Sequence, residues 1–294
     1  KKKKPNNTSD LGRQLFLYNT VIGSSGSAIS DESSAKEVKI FSTVIGSCDA
    51  TASSNHSTIL GSEQSKILSS DRSTTLGGCN IQIIDSNLAT IIGSTEVQIS
   101  GSPSAIALGG GGKNNIVESP GSIMAGQCNN LCGTESGVIL QGFQNTISSS
   151  LRSVILSGDG NTIINQGTTG FYLGYGGSFI GNGRDNRVET VGSSILNGSF
   201  NSIFTFPVPE YDGDISFNSI VGGCANTITG SISSILGGQF NSISGSFNST
   251  ILGGCGNLIT PNDTDPFSYE SGSIYNLIGE GDNNTIISTQ YAST

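Results

Sequence analysis

The residues of this chain that could carry chemistry are few and poorly matched to one another. Among its 294 residues are 6 Cys and 1 His. A catalytic triad would have to use His56, beside Ser57 and Thr58, and a lone histidine in a poorly patterned turn reads as an exposed turn residue. Cys128 and Cys132 lack the second ligand pair that zinc spacing demands. Asp212 with Asp214, and Asp263 with Asp265, offer oxygen ligands for calcium, but neither pair completes a loop motif. The sequence therefore predicts no catalytic residue, no metal centre and no cofactor. What remains is contact chemistry. Aromatic residues make up only 6% of the chain, yet Phe171, Tyr172, Tyr175, Phe204, Phe206, Tyr211, Phe217, Phe267 and Tyr269 gather in three short stretches. Clustering of that kind predicts either a binding surface or a cover for an apolar edge or subunit seam.

Composition narrows the setting. There are 42 Gly, no Trp and 12% charged residues, with a formal net charge of −9. A nucleic-acid partner needs a basic stripe to neutralise phosphates, and none exists outside Lys1 to Lys4. Those lysines precede polar Pro5, Asn6 and Asn7 rather than an apolar run, so residues 1–18 are expected to be a flexible segment and not a signal peptide. No apolar stretch is long enough to span a membrane. Disordered segments are rich in charge and poor in β-branched residues, whereas Ile and Val recur here at even intervals.

That interval is the strongest signal in the chain. Val138 to Ile147 (VILQGFQNTI) is echoed by Ser194 to Ile203, Ser234 to Ile243 and Thr250 to Ile259. Numbering each copy from its first apolar residue places copies at 21, 44, 59, 75, 91, 107, 123, 139, 155, 180, 195, 220, 235, 251 and 278. The repeat is about sixteen residues long, with about fifteen copies. Position 4 is Gly or Ser. Position 7 becomes Asn from Asn129 onward, at Asn145, Asn161, Asn186, Asn201, Asn226, Asn241, Asn257 and Asn284. Both residue types suggest left-handed turn backbone. Position 9 is apolar, as in Ile67, Ile83, Ile99, Leu131 and Ile228.

Strands rather than helices must carry this pattern. Position 16 is usually small and position 2 large, as in Ser194 and Leu196. In two copies both reverse together: Phe179 with Gly181, and Leu277 with Gly279. Such a swap pairs residues i and i+2, which share a face only in a strand. The predicted fold is all-β: a parallel β-solenoid over residues 19–290, with loops at 30–43, 164–179, 204–219 and 260–277 that should project from one edge. Both strand faces carry aliphatics, at positions 1 and 2, so one face should pack inside and the other should be covered by a neighbouring subunit. Cysteines two coils apart (Cys48 with Cys79, Cys224 with Cys255) would sit about 9.6 Å from each other, too far for a disulfide.

Ser234-Ile235-Leu236-Gly237-Gly238 and Ser42-Thr43-Val44-Ile45-Gly46-Ser47 resemble the head repeats of YadA-like trimeric autotransporter adhesins. The resemblance covers roughly residues 19 to 290 and rests on a short motif. It implies a left-handed β-roll assembled as a homotrimer on a cell surface, binding a cell-surface or matrix receptor. The repeat here is longer than in that family, carries the extra Asn, and lacks neck, stalk and membrane barrel, so a virion or phage fibre fits equally. The expected function is a non-enzymatic, extracellular structural or adhesive fibre. A self-assembling filament subunit is the alternative. An ice-binding solenoid is a third reading, but its Thr20, Thr43, Thr58, Thr74, Thr90 ladder breaks at Ile106.

Overall fold

A computed structural model of the chain describes residues 17–22, 28–29, 40–45, 51–52, 57–60, 66–68, 72–77, 80–84, 87–93, 95–109, 112–164, 177–204, 217–260, 273–287 and 292–293. No helix occurs among them. The strands form two sheets, one a path of 16 strands and the other a path of 15 with Ser273–Ile274 paired off it (below, the 16- and the 15-stranded sheet), and successive strands alternate between them except at Leu258–Thr260 and Ser273–Ile274. Up to Ser242–Phe247, each strand pairs in parallel with the strand two places on, as Val138–Ile139 does with Val154–Ile155 and Thr146–Ser148 with Thr162–Ile164. This is a β-solenoid whose coil is the sequence repeat.

Strand alternation decides what the solenoid buries. Position 1 supplies one inward column (Ile91, Ala107, Ile139, Ile155, Ile180, Ile195, Ile220, Ile235, Ile251, Ile278) and position 9 the facing one (Ile83, Ile99, Leu131, Ile147, Ile163, Val188, Ile203, Ile228, Ile243, Ile259). Together they form a single aliphatic core. Because the two columns come from different sheets, every coil closes its own slice of that core, and stacking excludes water from its top and bottom.

One copy is displaced from its expected start. The inward residue is Met124, not Ile123: Met124 aligns with Ala107 and Ile139, while Ile123 lies outside against Ile106 and Val138. The following turn, Ala125-Gly126, is one residue shorter than Leu140-Gln141-Gly142, and this absorbs the shift. A second irregularity is chemical. Thr75 takes a fully buried inward position in register with Ile59 and Ile91, and its hydroxyl has no hydrogen-bond partner.

The two corners of the coil differ in construction. In the first corner, running from the 16-stranded sheet to the other, position 4 is Gly with φ from +89° at Gly126 to +138° at Gly281. A Cβ on Gly238 would overlap the Gly254 carbonyl oxygen and stand 2.5 Å from Asn241 Nδ2. Position 7 was expected to be a left-handed turn residue. The structure corrects this: the left-handed residue is position 6, including Gln144, Asp185, Phe200, Ala225 and Phe240. Asn at position 7 has instead been drawn inside, where it is fully buried.

Its side chain builds a ladder along the axis. The Asn226 amide N–H donates to Asn201 Oδ1 at 3.0 Å, and Asn226 Nδ2 donates to Asn201 Oδ1, the Gly222 carbonyl and the Gly238 carbonyl at 3.1, 3.2 and 3.0 Å. Asn226 Oδ1 in turn accepts from the backbone and side-chain nitrogens of Asn241 at 3.0 and 3.2 Å. The pattern continues to Asn284 and begins at Asn114, which accepts from the Asn129 N–H. Buried amides are stable only when so fully satisfied.

In the second corner a lighter column of Ser and Asn does similar work. The Ser178 N–H donates to Ser153 Oγ and the Asn218 N–H to Ser193 Oγ, at 3.0 and 3.1 Å. All four long stretches between strands fall on this corner. They follow Ile29, Ile164, Phe204 and Thr260, each the last residue of a strand in the 15-stranded sheet. The expected loops are shorter than their sequence limits, since 40–43, 179, 219 and 276–277 are strand.

Candidate interaction surfaces

Since position 1 points inward, position 2 must point out. On the 16-stranded sheet that outward column is aliphatic: Ile45, Ile92, Leu108, Leu140, Leu156, Leu196, Val221, Leu236 and Leu252 are each exposed, from 37% at Ile45 to 53% at Leu196. With Leu277 the row crosses fourteen successive strands of the sheet. At ~4.8 Å per strand and ~3.3 Å per residue this is a strip about 60 Å long and 10 Å wide, roughly 600 Å². A standard protein interface removes about 800 Å² from each partner. An apolar strip of this extent is rare on a protein that stays monomeric.

The size swap read from the sequence lies on this strip. Phe179, between Val154 and Ser194, turns over Gly181: a Cβ on Gly181 would meet Phe179 Cε1 at 3.3 Å. The ring thus occupies the space that a position-2 Leu fills in the coils on either side, at Leu156 and Leu196. Leu277 is exposed at the second swap site. The outward surface is kept level.

A second apolar surface lies at the insertion-bearing corner. Phe217, Ile232 and Tyr275 are exposed at 59%, 52% and 55%. They occupy one column, each directly before the buried residue that opens the next strand of the 16-stranded sheet (Asn218, Ser233, Asn276). Ile232 and Tyr275 have φ of 54° and 57°. Left-handed backbone costs an L-residue about 1–2 kcal/mol, and most for a β-branched one. The same column is left-handed at Arg72, Leu88, Ser104, Ser136, Arg152 and Asn248, and at Gly121 and Gly192, where glycine carries no such cost. Ile232 and Tyr275, like Leu88, are exposed large apolar residues on left-handed backbone, which this column imposes on polar and apolar residues alike. Sequence reasoning missed both, because neither lies in an aromatic stretch; their shared column was the available signal.

Of the aromatic residues expected to bind, the described structure places two, at the two ends of one insertion. Phe217 is on this corner. Phe204 is the last residue of strand Ser202–Phe204, in register with Thr229 and half-buried. Phe171, Tyr172, Tyr175, Phe206, Tyr211, Phe267 and Tyr269 lie outside the described residues, as do Asp212, Asp214, Asp263, Asp265, His56, Cys48, Cys79 and residues 1–16. Cys224 and Cys255 are separated by Gln239, which bridges to both, so they stand two coils apart as the repeat requires; both are free thiols, like Cys128 and Cys132. Among the described residues no group of His, Cys, Asp or Glu is placed to hold a metal ion, and no helix is long and apolar enough to cross a membrane.

Comparison with known proteins finds no matching family model, no matching curated protein and no matching solved structure.

Proposed function

We propose that this chain is a structural and adhesive segment of an extracellular fibre on a cell or virion surface. It works as a homotrimer and presents the insertion-bearing corner for attachment to a surface receptor. The observation that carries the reading is volume compensation on an outward face. Water imposes no penalty for a bump or a dent, so a monomer has no reason to match Phe179 with Gly181, or Leu277 with Gly279. A packed partner does impose one, because overpacking and voids both destabilise an interface. The side chains on this strip are aliphatic and unstrained, and burying the exposed half of each Leu contributes about 1 kcal/mol. Three such strips facing a common axis would each be covered by their two neighbours.

The chain's solution mass tests this. Light scattering on the wild-type chain should give three chain masses, independent of concentration. Leu196→Asp with Leu236→Asp should give one, with an unchanged far-ultraviolet spectrum, since both residues lie outside the core. A monomeric wild type overturns the reading. A mass that climbs with concentration also overturns it, in favour of a filament.

A further inference from the structure

The 15-stranded sheet and the first corner carry a polar groove that the fibre reading does not use. It has a volume of about 610 Å³ and is lined by Asn80, Gln82, Glu96, Val97, Gln98, Lys113, Asn114 and Asn115. That size lies within the usual range for small-molecule sites. Its construction follows from strand alternation. Ile81, Val97 and Asn114 turn inward and are buried. The residues on either side of them, Asn80 and Gln82, Glu96 and Gln98, Lys113 and Asn115, stand up as two rows over three coils. Gln82, Gln98 and Asn115 are in register across adjacent strands, and the row runs on to Asn130, which accepts from Asn115 Nδ2 at 3.2 Å. Along the other row Lys113 pairs with Glu96 of the preceding coil at 3.7 Å.

Three properties define what fits. Each carboxamide offers both donors and acceptors, the match for a hydroxyl that also does both. The single cation and single anion pair with each other, leaving no net charge to select an anionic or cationic ligand. The polar groups repeat once per coil, at ~4.8 Å. An extended peptide repeats on one face every ~6.6 Å, out of step with the coils, whereas a β-linked pyranose chain advances about one ring per coil spacing. Elsewhere the same outward column holds hydroxyls (Thr146, Thr162, Ser202), the cations Lys66 and Arg187, and apolar Leu258, with no second run of carboxamides among the described residues. The long amides are confined to this groove.

We infer that the groove binds a neutral, β-linked saccharide chain lying along the solenoid axis, one ring per coil, with Gln82, Gln98 and Asn115 on one side and Asn80, Glu96 and Lys113 on the other. This does not depend on trimerisation, because the strip proposed for subunit contact is on the other sheet.

Calorimetric titration of the full chain with cello-oligosaccharides, chito-oligosaccharides, dextran, heparin and a tryptic digest of casein tests it. At least one of the two β-linked neutral series should bind, with affinity rising up to a length of about three rings and unaffected by added salt. Gln98→Ala with Asn115→Ala should weaken that binding at least tenfold while leaving the melting temperature and the solution mass unchanged. Glu96→Ala with Lys113→Ala, on the opposite wall, should also weaken it and guards against an indirect effect of the first pair. Binding of neither β-linked series overturns the inference. So does undiminished binding by both double variants, or a preference for dextran, heparin or casein peptides.

Discussion

Replacing Asn226 by Asp changes one atom and should be among the most damaging substitutions available. Asn226 Nδ2 donates to Asn201 Oδ1 and to the carbonyls of Gly222 and Gly238, three acceptors that a carboxylate oxygen would instead confront. A protonated carboxyl could serve one of them. The amide shares two hydrogens among the three and the carboxyl has one, so one hydrogen bond is lost outright and an acceptor is left unsatisfied at about 1–3 kcal/mol, making the variant about 2 kcal/mol less stable than wild type at pH 3. Holding the proton grows costlier as pH rises. With an unfolded pKa of ~3.9 and ~1.4 kcal/mol per pH unit, the added cost at pH 7 reaches about 4 kcal/mol if the buried group stays protonated. The sign follows from linkage: the folded pKa is raised, so relative stability is greatest below the unfolded pKa and is lost as pH climbs toward the folded one. Denaturant melts of both chains at pH 3, 5 and 7 give the difference, in which the pH dependence of the wild type cancels. Amide exchange at Asn241, whose N–H donates to Asn226 Oδ1 at 3.0 Å, reports the same event locally. A stability difference that stays below 1 kcal/mol, or that does not change with pH, would refute the ladder as a load on stability.

Two further substitutions probe the packing. Gly238→Ala should be destabilising by more than 3 kcal/mol, read as a lost or greatly lowered melting transition, because its methyl group would overlap the Gly254 backbone. Thr75→Val should raise stability by about 1–3 kcal/mol in a denaturant melt, since it removes a buried hydroxyl without a partner and keeps the shape. No gain would mean that the hydroxyl is satisfied in solution.

The strands were legible because every coil repeats the same two inward columns. Ile at positions 1 and 9 recurs at the strand period, and the paired reversal of Phe179 and Gly181 told strand from helix before any coordinates. Register inside a coil was less legible. Ile123 and Met124 are both apolar, and only the shortened turn after Met124 decides which one enters the core. The Asn column was seen but its role was misread, since Asn serves equally well in a left-handed turn and as a buried amide. The choice depends on whether the amide above and below is also Asn, which is a property of the stack. The candidate surfaces have the same character. Ile232 and Tyr275 are 43 residues apart in sequence and share a column only once the coils are superposed. Gln82, Gln98 and Asn115 look like unremarkable polar positions until the strands align them.

The unequal corners have a bearing on how such a chain can be altered. From Ile139 onward, each strand of the 16-stranded sheet is followed by one of the 15-stranded sheet after the same short connection, whereas extra residues enter only on the return path. The first corner is fastened by amide and glycine contacts to the coil above and the coil below, so an added residue there would break bonds in three layers. The return corner is fastened mostly by hydroxyls, with an amide at Asn218, and accepts added chain. Foreign peptides grafted after Ser148 or Glu189, just past strands Thr146–Ser148 and Arg187–Val188, should therefore be carried without unseating the coils, making the molecule a ruler on which epitopes can be set at multiples of one coil height.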